Sequence, residues 1–396
     1  MKLLFIDAPS FGINDIREAF EKLGFELVSY YDEGIYDLYS EKIENEISDI
    51  LQDKDIVVAF SFNWYPLLSN IFEKHNIKYI AHVYDSPQKA LFSTAILNEC
   101  NYVFLFDSAM YNELHAGGIN TVYYLPLMAN VERIDKIVVP QNSLSKVSSD
   151  VSFVGSLYDE DIKHNYFDRM ELRLDEFTRG YLRGLIEAQL NVSGYSFVED
   201  CLTETIIENM YKAMPYKNRV DGVETLQYIY AQYFIDYKIT AIERKRLLTA
   251  VSDRFNFKLY THNQPVDMPN AIYMGPIDWE ESMPAVFKNS KINLNITLRA
   301  IRKGMSLRVF DILGAGGFLL SNYQEDFLEF FVPDEDVVFF DGKDDLLSKI
   351  EYYLSHDNER REIARNAYEK VKSAHTYLDR AKQMLMVAGI NINGNK

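Results

Sequence analysis

The chain has 396 residues, 47% hydrophobic and 25% charged, with 28 Tyr and 25 Phe. At about 150 residues per domain this is the composition of a soluble globular protein of two or three domains, and long disorder is excluded. Lys plus Arg number 41 against 59 Asp plus Glu, a formal net charge of −18, which excludes nucleic acid and anionic lipid as partners but still allows a local basic pocket.

The first 130 residues alternate short β runs with amphipathic stretches. Strands are predicted at 2–6, 25–30, 56–60, 79–83, 102–106 and 121–125, and helices at 14–23, 41–51, 67–75 and 109–115. The run Met1–Ile6 is stopped by Asp7, too soon for a signal peptide or a membrane span. No apolar stretch anywhere is long enough to be an integral membrane segment. Residues 131–150, polar and turn-prone, read as a linker. A strand at 151–154 ends at Gly155-Ser156, and 158–254 reads as a helical insertion rich in Tyr, among them Tyr228, Tyr230, Tyr233 and Tyr237. These tyrosines are expected to be core packing. From 257 the alternation returns, with strands at 258–261, 271–274, 292–296, 318–321 and 337–340. Helices are expected at 283–288, 307–313, 346–354, 360–372 and 378–387. The fold class is therefore α/β, with two Rossmann-like domains, 1–130 and 151–375, facing a cleft. In such folds a ligand lies at the carboxyl ends of the strands. The two cysteines, Cys100 and Cys201, are too few for a disulfide framework and read as reduced thiols of a cytoplasmic protein.

The segment from Arg299 to Gly317 carries the most chemistry. Arg299, Arg302 and Lys303 crowd a loop that enters a helix at Ser306. Gly304 allows close backbone approach, and Ser306 is an expected N-cap. The helix end at Met305, Ser306 and Leu307 offers N–H groups and a positive dipole to a phosphate. Asp311, one turn further on, suits ribose hydroxyls. In the first half, Gly12 follows the first strand, and His82 and Asp85 end the fourth; either of the latter could serve as a general base. The histidines show no metal spacing. The Asp-x-Asp patterns at 159–161 and 334–336 read as surface acid clusters rather than a metal site. No phosphate-binding loop or nucleophile elbow is present.

Ser306–Asp311 followed by Gly314-Ala315-Gly316-Gly317-Phe318-Leu319-Leu320 resembles the C-terminal domain of GT-B glycosyltransferases, the spore-maturation CgeB-like group above all. Ala271–Ile277 and Leu294–Thr297 agree in order. So do Val83–Pro87, Phe104–Asp107 and Tyr124–Leu127 in the first half. The resemblance implies an enzyme, a hexosyltransferase moving sugar from a nucleotide sugar, UDP-linked by expectation, to a protein, polysaccharide or other acceptor. It implies a metal-independent, retaining transfer with no cofactor besides the donor. Catalysis is expected from Asp85, His82, Lys303 and Arg299. Donor binding is expected from Gly12, Gly155, Ser156, Gly275, Pro276, Ile277, Thr297, Arg302, Gly304, Met305, Ser306, Leu307 and Asp311. It also implies that the last helix, within 376–396, crosses back to the first domain. One position departs from the family: where retaining members carry an E-x7-E pair, the first acid is replaced by Lys303 and the second by Asp311. The competing readings are a nucleotide-sugar epimerase of the same fold and a two-lobed binding protein without chemistry.

Overall fold

The computed structural model describes residues 1–158, 165–218, 220–262, 264–265 and 267–391. The chain divides into two compact units: Met1–Met128 with Asn218–Glu224 and Ala374–Lys396, and Ala129–Lys217 with Thr225–Ser373.

The first unit is built on six parallel strands, β1 (Lys2–Ile6), β2 (Glu26–Tyr30), β3 (Ile56–Phe62), β4 (Lys78–Val83), β5 (Asn101–Leu105) and β6 (Val122–Tyr124), in the order β2-β1-β3-β4-β5-β6. The inner strands are mostly apolar and buried on both faces, whereas edge strand β2 is half-exposed. That is what a parallel sheet covered on both sides requires. Ser40 caps helix Glu41–Ile50 through the Ile43 N–H, and Ile43 and Ile47 of that helix join Leu67, Leu68 and Ile71 on one face. The other face is covered by Ile16 and Phe20 and by the last helix, Tyr377–Val387, whose Tyr377, Ala381, Met384 and Leu385 share a core with Leu3, Phe5 and Phe60. A capping box between Thr376 and Asp379 starts this helix. Its Arg380, 2% exposed, donates to the carbonyls of Pro126 (2.7 Å) and Leu127 (3.3 Å) beyond β6.

The second unit repeats the architecture with β7 (Val151–Val154), β8 (Phe257–Tyr260), β9 (Ile272–Tyr273), β10 (Ile292–Asn295), β11 (Leu319–Asn322) and β12 (Val338–Phe340), all parallel, in the order β12-β11-β10-β7-β8-β9. From β7 the chain builds outward through β8 and β9, then returns to the other side of β7 and builds outward through β10, β11 and β12. The strand order therefore reverses between β7 and β10.

Residues 131–150 are not a bare linker. Val131–Asp135 is a helix capped by Asn130 (2.9 Å to the Arg133 N–H), with Val131 and Ile134 buried. A second short helix, Leu144–Val147, is held through its Lys146 carbonyl and that of Ser145 by the Lys258 ammonium. The insertion is helical, with Glu176–Leu190 and Glu204–Ala213 among its segments. It closes with a π-helical turn, Tyr230–Ile235, that runs into helix Asp236–Ser252. Within it, 218–224 groups with the first unit: Gly222 bridges Ser93, and the Val223 N–H donates to the Phe92 carbonyl at 3.0 Å. Tyr228 and Tyr230 are buried, and Tyr228, Tyr233 and Tyr237 form successive ring contacts at 6.4 and 6.3 Å. Among the described residues, no helix is long and apolar enough to cross a membrane.

Candidate functional site

A doubly wound sheet has room for a ligand where the strand order reverses, outside the carboxyl ends of the two diverging strands. In the second unit that point lies between Gly155-Ser156, after β7, and Ile296-Thr297, after β10. Arg244, from the buried face of helix Asp236–Ser252, spans it. Its guanidinium donates to the Ser156 carbonyl (2.5 Å) and to the Ile296 carbonyl (3.0 Å from Nε). It stacks over Phe153 and Tyr158 at 5.3 and 4.8 Å. A Cβ at Gly155 would stand 3.7 Å from this guanidinium and 3.3 Å from the Phe153 ring. Tyr158 in turn packs edge-on against Tyr237 at 5.2 Å, which joins the insertion's aromatic series to this point.

Arg308 is the second cation. Burial, with Arg244 nearby, lowers its pKa, and Asp311 and Tyr158 oppose that shift. Arg308 bonds Asp311 at 3.1 Å and also contacts the Met283 sulfur. Two guanidiniums that disfavour each other's charge beside a helix N-terminus, with Asp311 bonded to one of them, make a cationic pole that suits a diphosphate. Helix Leu307–Gly314 presents that N-terminus: Ser306 is the N-cap but makes no side-chain cap bond, its hydroxyl turning to Asn295 Oδ1 at 3.5 Å. Gly155, Ser156, Ser306, Leu307 and Asp311 are thus brought together with Arg244 and Arg308. Thr297 lies inside the same region but is 1% exposed. Its N–H donates to Asn322 (2.8 Å) and its hydroxyl accepts from Asn295 (3.0 Å), so it braces the strand ends.

Several expected residues are committed elsewhere. Arg299 forms a two-pronged pair with Glu243 (2.9 and 2.6 Å), donates to the Val192 carbonyl and is tied through its N–H to Thr240. It staples the loop to the insertion, and a phosphate could reach it only by breaking that pair. Lys303 pairs with Glu325 at 2.7 Å, beyond β11. Arg302 is half-buried, in electrostatic contact with Asp236. Gly304 and Met305 are buried and shape the loop. Asp311 is 4% exposed, which leaves little of its carboxylate open. Gly275, at φ +81°, with Pro276 and Ile277, follows edge strand β9, two strands from β7. Asp159–Asp161 lie outside the described residues. Asp336 is held by Lys370 and by the Val332 N–H (2.7 Å), and among the described residues no three acids, His or Cys are grouped to hold a metal ion.

In the first unit the order reverses between β1 and β3. Asn63, just after β3 at φ +57°, accepts from the Tyr84 N–H (2.8 Å) and the Asp85 N–H (3.2 Å), and donates to the Asp85 carboxylate at 2.9 Å. Asp85 is therefore exposed but fixed. Desolvation of the carboxyl, whose residue is otherwise exposed, raises its pKa, with the Asn63 bond opposing. His82 is corrected: it is 0% exposed, with Nε2 on the Leu125 carbonyl at 3.3 Å, and burial, with Arg380 adding, lowers its pKa to about 3. It is a neutral core residue that no substrate reaches. Gly12 is also corrected: at φ +75° it lies buried against Tyr377, and a Cβ there would overlap the Tyr377 hydroxyl. Its role is to seat the last helix.

Arg244 and Arg308 are the residues that sequence reasoning missed. The signal for Arg244 is a cation in register with Leu247, Leu248 and Val251 on the apolar stripe of its helix.

Solved structures match over nearly the whole length, among them the following three. A sucrose-phosphate synthase from Thermosynechococcus elongatus has 9% identity and a TM-score of 0.56, with 98% of each chain covered. A glycosyltransferase from Rickettsia africae ESF-5 has 10% identity and a TM-score of 0.52, with 100% of this chain and 99% of that one covered. Anabaena HepE, in complex with UDP and glucose, has 10% identity and a TM-score of 0.51, with 98% and 99% covered. The fold is GT-B. Residues 244–386 match the family model described as glycosyl transferase-like, a match that begins at Arg244. The chain is a glycosyltransferase enzyme. No curated protein matches it.

Proposed function

We propose that this enzyme moves a sugar from a nucleoside diphosphate sugar, UDP-linked in the first instance, to a protein, polysaccharide or other acceptor, with retention and without a metal ion. The observation that carries the reading is the pair Arg244 and Arg308 beside the uncapped N-terminus at Ser306, at the β7/β10 reversal. There the two guanidiniums and the helix end stabilise the charge that builds on the diphosphate as the sugar bond breaks. Asp311, one turn inside, holds the ribose once the donor draws Arg308 toward phosphate. In a retaining transfer the acceptor attacks from the face the phosphate leaves, and a phosphate oxygen takes its proton. Asp85 then orients the acceptor rather than acting as the base. Anabaena HepE, whose structure contains UDP and glucose, supports uracil as the base to try first. The free thiols fit a cytoplasmic enzyme, and the CgeB-like resemblance favours surface, spore or protein glycosylation.

The test is calorimetric titration of UDP, GDP and ADP in EDTA into wild type, Arg308→Ala and Lys303→Ala. One nucleotide should saturate without metal. Arg308→Ala should weaken it about tenfold or more, and Lys303→Ala should change it little. A cooperatively melting protein that no nucleotide saturates would overturn the reading.

A further inference from the structure

The sheet of the second unit has a second charged pole. At the amino ends of β10 and β11, the edge opposite the β7/β10 reversal site, lies a cavity of about 220 Å³. Ten residues line it; four are the cations Lys288, Lys291, Arg360 and Arg361, and none is an acid. In a chain of net charge −18 such a lining runs against composition.

Arg360 is not fully satisfied by its neighbours. Arg360 is 7% exposed. Its Nη1 donates to the Lys291 carbonyl at 2.6 Å and its Nη2 meets Asp357, but its Nε–H has no acceptor among the described residues. A buried donor left without an acceptor is costly, and an anion seated there relieves that cost. Lys288 donates to the Ile134 carbonyl, and burial lowers its pKa, with Asp135 opposing. Lys291 and Arg361 bring exposed side chains to the rim, paired with Asp150 at 2.7 Å and Asp357 at 2.8 Å, acids that stand outside the lining. The floor is the Gly316-Gly317 turn. A Cβ at Gly317 would come within 2.7 Å of Asn293 Nδ2 and 2.8 Å of the Phe287 carbonyl, so only glycine lets the backbone pass here.

We propose that this cavity binds a phosphate group, as inorganic phosphate or as a small phosphomonoester. Two guanidiniums from helix Asp357–Ala374 and two ammoniums from the 288–291 segment, lining one cavity, match a group with several anionic oxygens better than a planar carboxylate.

The full chain is titrated with inorganic phosphate and with glycerol 3-phosphate at constant ionic strength, by calorimetry, alongside the double variant Lys291→Ala/Arg361→Ala and the variant Arg308→Ala. The double variant removes side chains that are 51% and 75% exposed, so the fold survives. Saturable binding that the double variant weakens at least tenfold and Arg308→Ala leaves unchanged is the expected result, with UDP affinity untouched by the double variant. The probe that binds more tightly names the source of the phosphate. Absence of saturation with both probes, equal affinity in the double variant, or loss only in Arg308→Ala would overturn the proposal.

Discussion

Asp236 is fully buried where the π-helical turn meets helix Asp236–Ser252, and neither carboxylate oxygen has a hydrogen-bond partner among the described residues. Burial raises its pKa to about 8; Arg299 and Arg302 oppose the rise and Glu199 adds to it. The folded chain therefore keeps a proton that the unfolded chain releases above its ordinary pKa of 3.8. The stability linked to this group is fully present below that value and is lost as pH rises through about 8. Asp236→Asn, which cannot ionise, should gain on wild type as pH rises from 5 to 8, as measured by denaturant unfolding at both pH values. An equal difference at the two would contradict the neutral buried acid. The same scale explains the uneven legibility of the site. Residue type and spacing located the 299–311 loop, but Arg299 and Arg308 are alike in sequence. Which one faces the reversal point depends on Glu243 and Arg244, more than fifty residues away in the chain.

Among the elements, long periodic segments were readable to within a few residues, because alternation and the 3.6-residue stripe are local properties. Four-residue turns of helix at Glu33–Tyr36, Lys89–Phe92, Thr94–Leu97 and Phe327–Phe330 are too short to show a period, and none was foreseen. The expected linker misled because polar, turn-forming residues also cap short helices, as Asn130 does. Gly12 tests the contact between the first helix and the last. Gly12→Ala combines a positive φ with an overlap on Tyr377, and should cost about 2 kcal/mol or more. In a double-mutant cycle with Tyr377→Ala, part of that cost should disappear, leaving a coupling of about 1 kcal/mol. Strictly additive unfolding energies would show that the tyrosine is not what excludes a side chain there.

For the molecule as a whole, chain order and unit membership differ: residues from 374 onward return to the first unit after the second is complete. Truncation after Ser373 removes Tyr377, Ala381, Met384 and Leu385 from the core around Phe5 and Phe60, and with them the Arg380 bonds to Pro126 and Leu127. The shortened protein should bind a hydrophobic dye and lose the cooperative unfolding of its first unit, while Arg244 and Arg308 keep their surroundings. A truncated chain that melts like wild type would show that the last helix is dispensable. Two α/β halves, a helical insertion and a basic loop leading into a helix were legible in the sequence, since each rests on patterns a few residues long. The tertiary structure alone decided that His82 is a core residue, that Gly12 seats Tyr377, and that Arg244 rather than Arg299 spans the strand reversal. Burial and ion-pair partners are set by segments distant in sequence, and no local pattern encodes which distant segment will arrive.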